Sequence, residues 1–388
     1  MSAGFPSNEG LTKYIIDTLP FRNRTYPAES EPSHFQGRWK DTAKMLQRAN
    51  CLSVDEFCEI GQPILGDGAA LKQIVSVALF DKVAERKTWN EYVRFVASLF
   101  KQSEADLDDR FTVVSFNYDG LLGKMLLDAV RERRYLAQAH NNTLDLSTAT
   151  ALAGGWSPPH PIIRRDDTLI AHIINGGVPT PFFNVDSIMQ AVESENFDGN
   201  QFCLHMPHGN FTVMKDRTGT NHAFQDLIYG DVDVKQKEAW FLDLFRNSWQ
   251  PAIQFPWEKK KRLALHQRQI DHAALSVEEA TRIHFIGLSG HPLLRHTLME
   301  IFARVHPANF QSKEWFVATT EENKERVFRR LMDCFLPSEL QGNEAVKAHI
   351  SKPPQTKYLP SFDGWLNLAP HTNPQGYRVK AESVGKAE

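Results

Sequence analysis

The sequence predicts an α/β fold: a parallel sheet flanked by helices, with a helical subdomain and an irregular insertion. Three observations lead there. A short β-rich run, Phe111–Phe116, passes through a polar turn directly into an apolar helical stretch, Leu121–Val130. The same strand–turn–helix order returns at Arg282–Ile286 and again at Glu314–Ala318, and that unit is what parallel sheets are assembled from. Finally, 388 residues with 41% hydrophobic and 23% charged side chains suit a globular chain that folds around its own core without covalent staples.

The elements follow in chain order. Glu9 to Leu19 reads as a helix. Helices dominate residues 41–105, where Ser53 and Glu56 form a capping box and Leu71–Phe80 and Tyr92–Phe100 carry apolar residues at helical spacing. After the Phe111 strand and its helix, residues 141–200 are irregular, with Pro158, Pro159, Pro161, Pro179 and Pro181, and read as an inserted subdomain with short strands around Leu169 to Ile174. Phe202–Met206 is a strand ending at Pro207-His208-Gly209. The basic run Lys259-Lys260-Lys261-Arg262 opens a helix-like stretch and reads as a solvated face. The Arg282 strand ends in Gly287-Leu288-Ser289-Gly290 before a helix from Pro292 to Val305. Thr319–Glu322 caps a helix that follows the Glu314 strand and reaches Met332. Residues 1–340 are thus one domain. Residues 341–388 form an extended tail with five spaced prolines, either disordered or laid along a partner surface through Trp365 and Leu366.

Composition narrows the function classes. A net charge of −3 argues against a broad nucleic-acid surface. No apolar run is long enough to cross a bilayer, and Met1–Pro6 lacks the regions of a signal peptide. Four scattered cysteines offer no knuckle for a zinc site, so no metal is expected; thiols so placed suit a reducing cytosol, and a cytoplasmic location is expected.

Ligands of open parallel sheets bind at the carboxyl ends of strands. Three strand ends here are unusually polar: Ser115-Phe116-Asn117-Tyr118-Asp119, Pro207-His208-Gly209-Asn210 and Gly287-Leu288-Ser289-Gly290. Singly, each has a plainer reading. Asn-Tyr-Asp is also a turn with a helix cap, His208 also a satisfied structural histidine, and Gly-x-Ser-Gly misses the Gly-x-Ser-x-Gly of a serine nucleophile elbow. Together and in this order they resemble the sirtuin-like superfamily, in which a strand ending in Thr-x-Asn-x-Asp precedes one ending in His-Gly and a later one ending in Gly-x-Ser. Ser2-Ala3-Gly4-Phe5-Pro6-Ser7 is similar to the segment just after that family's Gly-Ala-Gly-x-Ser loop. The resemblance spans roughly the first 330 residues and is closest to bacterial sirtuin-like effector domains of antiphage defence. The four-cysteine zinc module of protein-deacylating sirtuins has no counterpart here, which disfavours a deacylase.

The resemblance implies a Rossmann-like sheet and an NAD+ hydrolase, with NAD+ as substrate and no metal. In that scheme Asn117 orients the attacking water and ribose hydroxyls, and Asp119 fixes the loop or stabilises developing positive charge. His208, whose type titrates near neutrality, accepts a proton. Ser289 bonds the phosphates or adenosine ribose, while Phe5, Pro6, Ser115, Phe116, Gly209 and Gly287 complete the binding positions. A homo-oligomer is implied, with room for a partner defence protein such as an ATPase. The alternative is a non-catalytic assembly scaffold. Two departures stand out: Gly290-His291-Pro292 replaces the family's acidic residue and proline, and the Gly-Ala-Gly-x-Ser loop would fall before Met1. The expectation from the second is that a strand and glycine loop lie upstream.

Overall fold

The computed structural model describes residues 8–19, 32–51, 53, 54, 56, 57, 68–85, 95–100, 111–126, 129, 203–219, 221–224, 228, 229, 233–255, 258, 264–286, 294–305, 313–318, 326, 327, 330 and 356–359. The predicted insertion at residues 141–200 and the Gly287–Gly290 turn lie outside them, as does most of the helix expected to reach Met332.

Helices open the chain: α1 (Asn8–Asp17), α2 (Pro32–Ala49) and α3 (Ala69–Glu85). The α1 face carrying Leu11 and Ile15 is buried. On α3, Leu71, Ile74, Val75, Val77, Ala78, Leu79 and Phe80 are all buried. Those positions cover every side of a 3.6-residue helix, so α3 lies inside the helical layer rather than on its surface. Tyr14 on α1 donates its hydroxyl to the buried Asp81 carboxylate on α3 at 2.8 Å. The Ser53 arm of the predicted capping box forms, with Glu56 N–H donating to Ser53 Oγ at 3.1 Å.

The strands fall into three pieces. β1 (Thr112–Val114) and β2 (Cys203–His205) pair in parallel, Val113 opposite Leu204. β3 (Gly209–Lys215), β4 (Asn221–Ala223) and β5 (Gln250–Ile253) form an antiparallel sheet in the order β4-β3-β5, with α4 (Val234–Arg246) between β4 and β5 in the chain. Beyond α5 (Ala264–Glu279), β6 (Arg282–Ile286), α6 (Arg295–Phe302), β7 (Glu314–Ala318) and β8 (Thr356–Leu359) complete a parallel sheet in the order β6-β7-β8. The protein is therefore mixed α/β, as predicted, but one parallel sheet does not account for it. The antiparallel β4-β3-β5 sheet was not expected. The tail differs too: residues 356–359 are extended, and the surface they pair with is this chain's own β7.

Alternate residues of several strands face two separate cores. In β1 and the turn after it, Phe111, Val113 and Tyr118 pack on the larger core, which holds α1, α3 and α4, whereas Val114 and Phe116 pack on a smaller one with α5 and α6. Likewise Phe316 and Ala318 of β7 belong to the larger core, and Trp315 and Val317 to the smaller. A strand apolar on both faces is one covered on both faces.

Candidate functional site

Two of the predicted strand ends meet. Past β1, Ser115 N–H donates to the His205 carbonyl at 2.8 Å, carrying the β1–β2 ladder one step further. The chain then turns, Asn117 N–H reaching Ser115 Oγ at 3.4 Å. Asn117 is exposed at the tip of this turn. The residues on either side of it both touch His208: the Phe116 ring meets the imidazole edge-on at 5.5 Å, and the Tyr118 ring stacks on it at 6.0 Å. Phe255, just after β5, closes the cluster with an edge contact to Tyr118 at 6.1 Å.

His208 is only 2% exposed. Its Nε2 lies 3.2 Å from Thr297 Oγ1 in the first turn of α6, and its carbonyl accepts from Gln254 N–H at 2.8 Å. The ring is thus held by an element that follows the third predicted strand end, and the backbone by the segment after β5. Gly209 N–H closes a tight turn onto the Met206 carbonyl at 2.8 Å. At φ +62°, Gly209 has a left-handed backbone, and a Cβ there would sit 1.8 Å from the Ala252 carbonyl oxygen. Its glycine is therefore required by the protein's own packing against β5.

Asp119 is buried, and its Oδ1 accepts from Leu121 N–H at 2.8 Å. The carboxylate caps the helical residues 121–126, the plainer of the two readings of Asn-Tyr-Asp. Its backbone carbonyl accepts from the Tyr229 hydroxyl. Ser115 is buried and Phe116 half-buried; Phe5, Pro6, Gly287 and Ser289 lie outside the described residues.

Behind this turn runs a buried polar chain that sequence reasoning missed. Lys72 of α3 pairs with Glu258 at 2.9 Å; the Glu258 carboxylate also accepts from Phe255 N–H at 2.9 Å and Gln254 Nε2 at 3.3 Å. Gln254 Oε1 then meets His266 Nδ1 at 3.2 Å. A charge taken out of water needs such partners, but nothing local in sequence marks them. On β2, His205 is fully buried, and burial followed by the neighbouring His272 pushes it down to about 3, against a smaller upward pull from Gln269. It is neutral wherever the protein is folded near physiological pH. Thr297 and Phe255 also escaped sequence reasoning, since a threonine in a helix and a phenylalanine after a strand carry no signature.

Among the described residues, no group of three or more His, Cys, Asp or Glu side chains could hold a metal ion, and no helix is long and apolar enough to cross a membrane. Comparison with protein-family models, with curated proteins and with solved structures returned no match.

Proposed function

We propose that this chain is an NAD+ hydrolase of the sirtuin-like kind, cleaving the nicotinamide–ribose bond on a Rossmann-like sheet. The observation that carries the reading is the meeting of the Asn117 turn and His208 at the ends of two parallel strands. Polar groups converging where parallel strands end are the usual foundation of a nucleotide site. The two-sided packing of β1 and β7 supports the doubly covered sheet that this reading requires.

The chemistry needs little machinery. As the C1′–nitrogen bond breaks, its electron pair leaves with neutral nicotinamide and the ribose carbon becomes oxocarbenium-like. A water oxygen bonds to C1′, and its proton passes to the His208 imidazole and then to solvent. Asn117, exposed at the turn, orients the water and ribose hydroxyls through its amide. Asp119 acts by fixing the turn, since its carboxylate is engaged at Leu121. In this reading the enzyme depletes NAD+ in the cytoplasm during phage infection, as a homo-oligomer to which the tail contributes, or beside a partner such as an ATPase.

A second reading, a non-catalytic scaffold module, is favoured by the burial of His208 and the capping role of Asp119. Incubating the purified chain with NAD+ and following nicotinamide and ADP-ribose by mass spectrometry separates the two. Turnover is expected, and Asn117→Ala and His208→Ala each lower it by ~10²-fold or more, with circular dichroism checking the fold of each variant because His208 is buried. Wild-type protein that releases no nicotinamide, or variants that match it, would remove the hydrolase reading.

A further inference from the structure

We infer that Thr297 is the positioning residue for His208, holding its ring through Nε2. The inference rests on the hydrolase reading for its kinetic consequence, though not for its structural one. Thr297 is 1% exposed, and the buried face of α6 that it shares is otherwise Leu298, Ile301 and Phe302. Valine would fill that position with the same shape. A hydroxyl in such a setting costs stability unless it is hydrogen-bonded, and its partner is His208 Nε2 at 3.2 Å, 89 residues away in the chain.

The contact determines more than orientation. A general base must offer a lone pair toward the substrate, and in neutral imidazole one nitrogen carries the proton while the other is basic. A hydroxyl can accept from Nε2–H or donate to a bare Nε2, so Thr297 holds the ring in either tautomer. When His208 takes up a proton, Nε2–H can only donate and Thr297 Oγ1 can accept it, so the contact survives the transfer. Phe116 and Tyr118 restrict ring rotation from two other sides. Thr297 is thus a polar contact beside these two rings, and it reaches the site from the helix that follows β6.

The test uses full-length protein labelled with 15N-histidine, the His208 signals being assigned by their loss in His208→Gln. Wild-type His208 should show 15N shifts of a ring hydrogen-bonded at Nε2. Thr297→Val should change that pattern, and Thr297→Ser should restore it. In the NAD+ assay, kcat should fall about tenfold in Thr297→Val with KM little changed, the loss of one hydrogen bond to a group that works in the transition state. Thr297→Ala, which adds no bulk, carries the same expectations if the valine variant does not fold. A His208 spectrum unchanged by removal of the hydroxyl would overturn the inference. If wild-type protein shows no turnover while the spectra behave as expected, the hydrolase reading falls and the positioning role stands.

Discussion

Replacing Gly209 with alanine should destabilise the protein more than the same change at Gly37, Gly120 or Gly219. Two costs combine. A side chain at φ +62° adopts the left-handed conformation, at about 1–2 kcal/mol. The new Cβ would also lie 1.8 Å from the Ala252 carbonyl oxygen and 2.5 Å from His266 Nε2. The first of these is backbone of β5, which has no rotamer to escape into, so the turn and strand must separate by about 1.5 Å to reach ordinary contact. Overpacking of that kind costs about 1–3 kcal/mol, bringing the total to roughly 2–5 kcal/mol against a typical stability of about 5–15. For a chain of this length that lowers Tm by about 2–6 °C. Gly219→Ala is the control. Its φ is +96°, but the nearest atom to a Cβ is Lys215 Cε at 3.6 Å, so only the backbone term of about 1–2 kcal/mol applies. Thermal melts followed by tryptophan fluorescence compare the two directly. A Gly209→Ala protein melting within about 1 °C of Gly219→Ala would refute the close approach of this turn to β5.

Other outcomes follow from buried charge, helix propensity and proton linkage. Glu258→Gln should cost about 3 kcal/mol by leaving Lys72 without its carboxylate, and Lys72→Met in the same chain should recover part of that loss in a urea-denaturation cycle. Gly37, exposed within α2 with nothing within 4 Å of its would-be Cβ, should stabilise the protein by about 0.5–1 kcal/mol when changed to alanine, read as a higher urea midpoint. For His205, the unfolded chain takes up a proton below its ordinary value of 6.5, whereas the folded chain resists until about 3. Stability linked to this site is therefore complete above the ordinary value and declines as pH falls through that window, by up to about 1.4 kcal/mol per pH unit. His205→Phe should flatten the slope of urea midpoint against pH between those limits, and an unchanged slope would show that His205 is not the group responsible.

Much of the fold was legible because its signals are local. β6 and β7 occupy the predicted residues Arg282–Ile286 and Glu314–Ala318, and α3 encloses the predicted Leu71–Phe80 stretch. In each case apolar spacing within a few residues carries the information. The Asn-Tyr-Asp and His-Gly blocks were visible in the same way, as polar clusters where a strand pattern stops.

The antiparallel sheet was not legible. β3 is buried from Gly209 through Met214, yet Asn210 and Thr212 sit inside that run, and β5 carries Pro251. β5 lacks the alternation that marks a half-buried strand, and although Asn210-Phe211-Thr212-Val213 alternates, both faces of β3 are buried. The polar residues of β3 are tolerated because they satisfy each other: Asn210 Oδ1 accepts from Thr212 N–H at 3.0 Å and from Thr212 Oγ1 at 2.5 Å. What the sequence by itself determined was the strand or helix character of β1, β2, β6, β7, α1 and α3, and where polar chemistry collects at strand ends. The tertiary structure alone decided that Gly209 must be glycine, that residues 356–359 join β7, and that Thr297 and Phe255 enclose the His208 turn. These all depend on contacts between residues far apart in the chain, and no local pattern encodes a partner that only packing brings within reach.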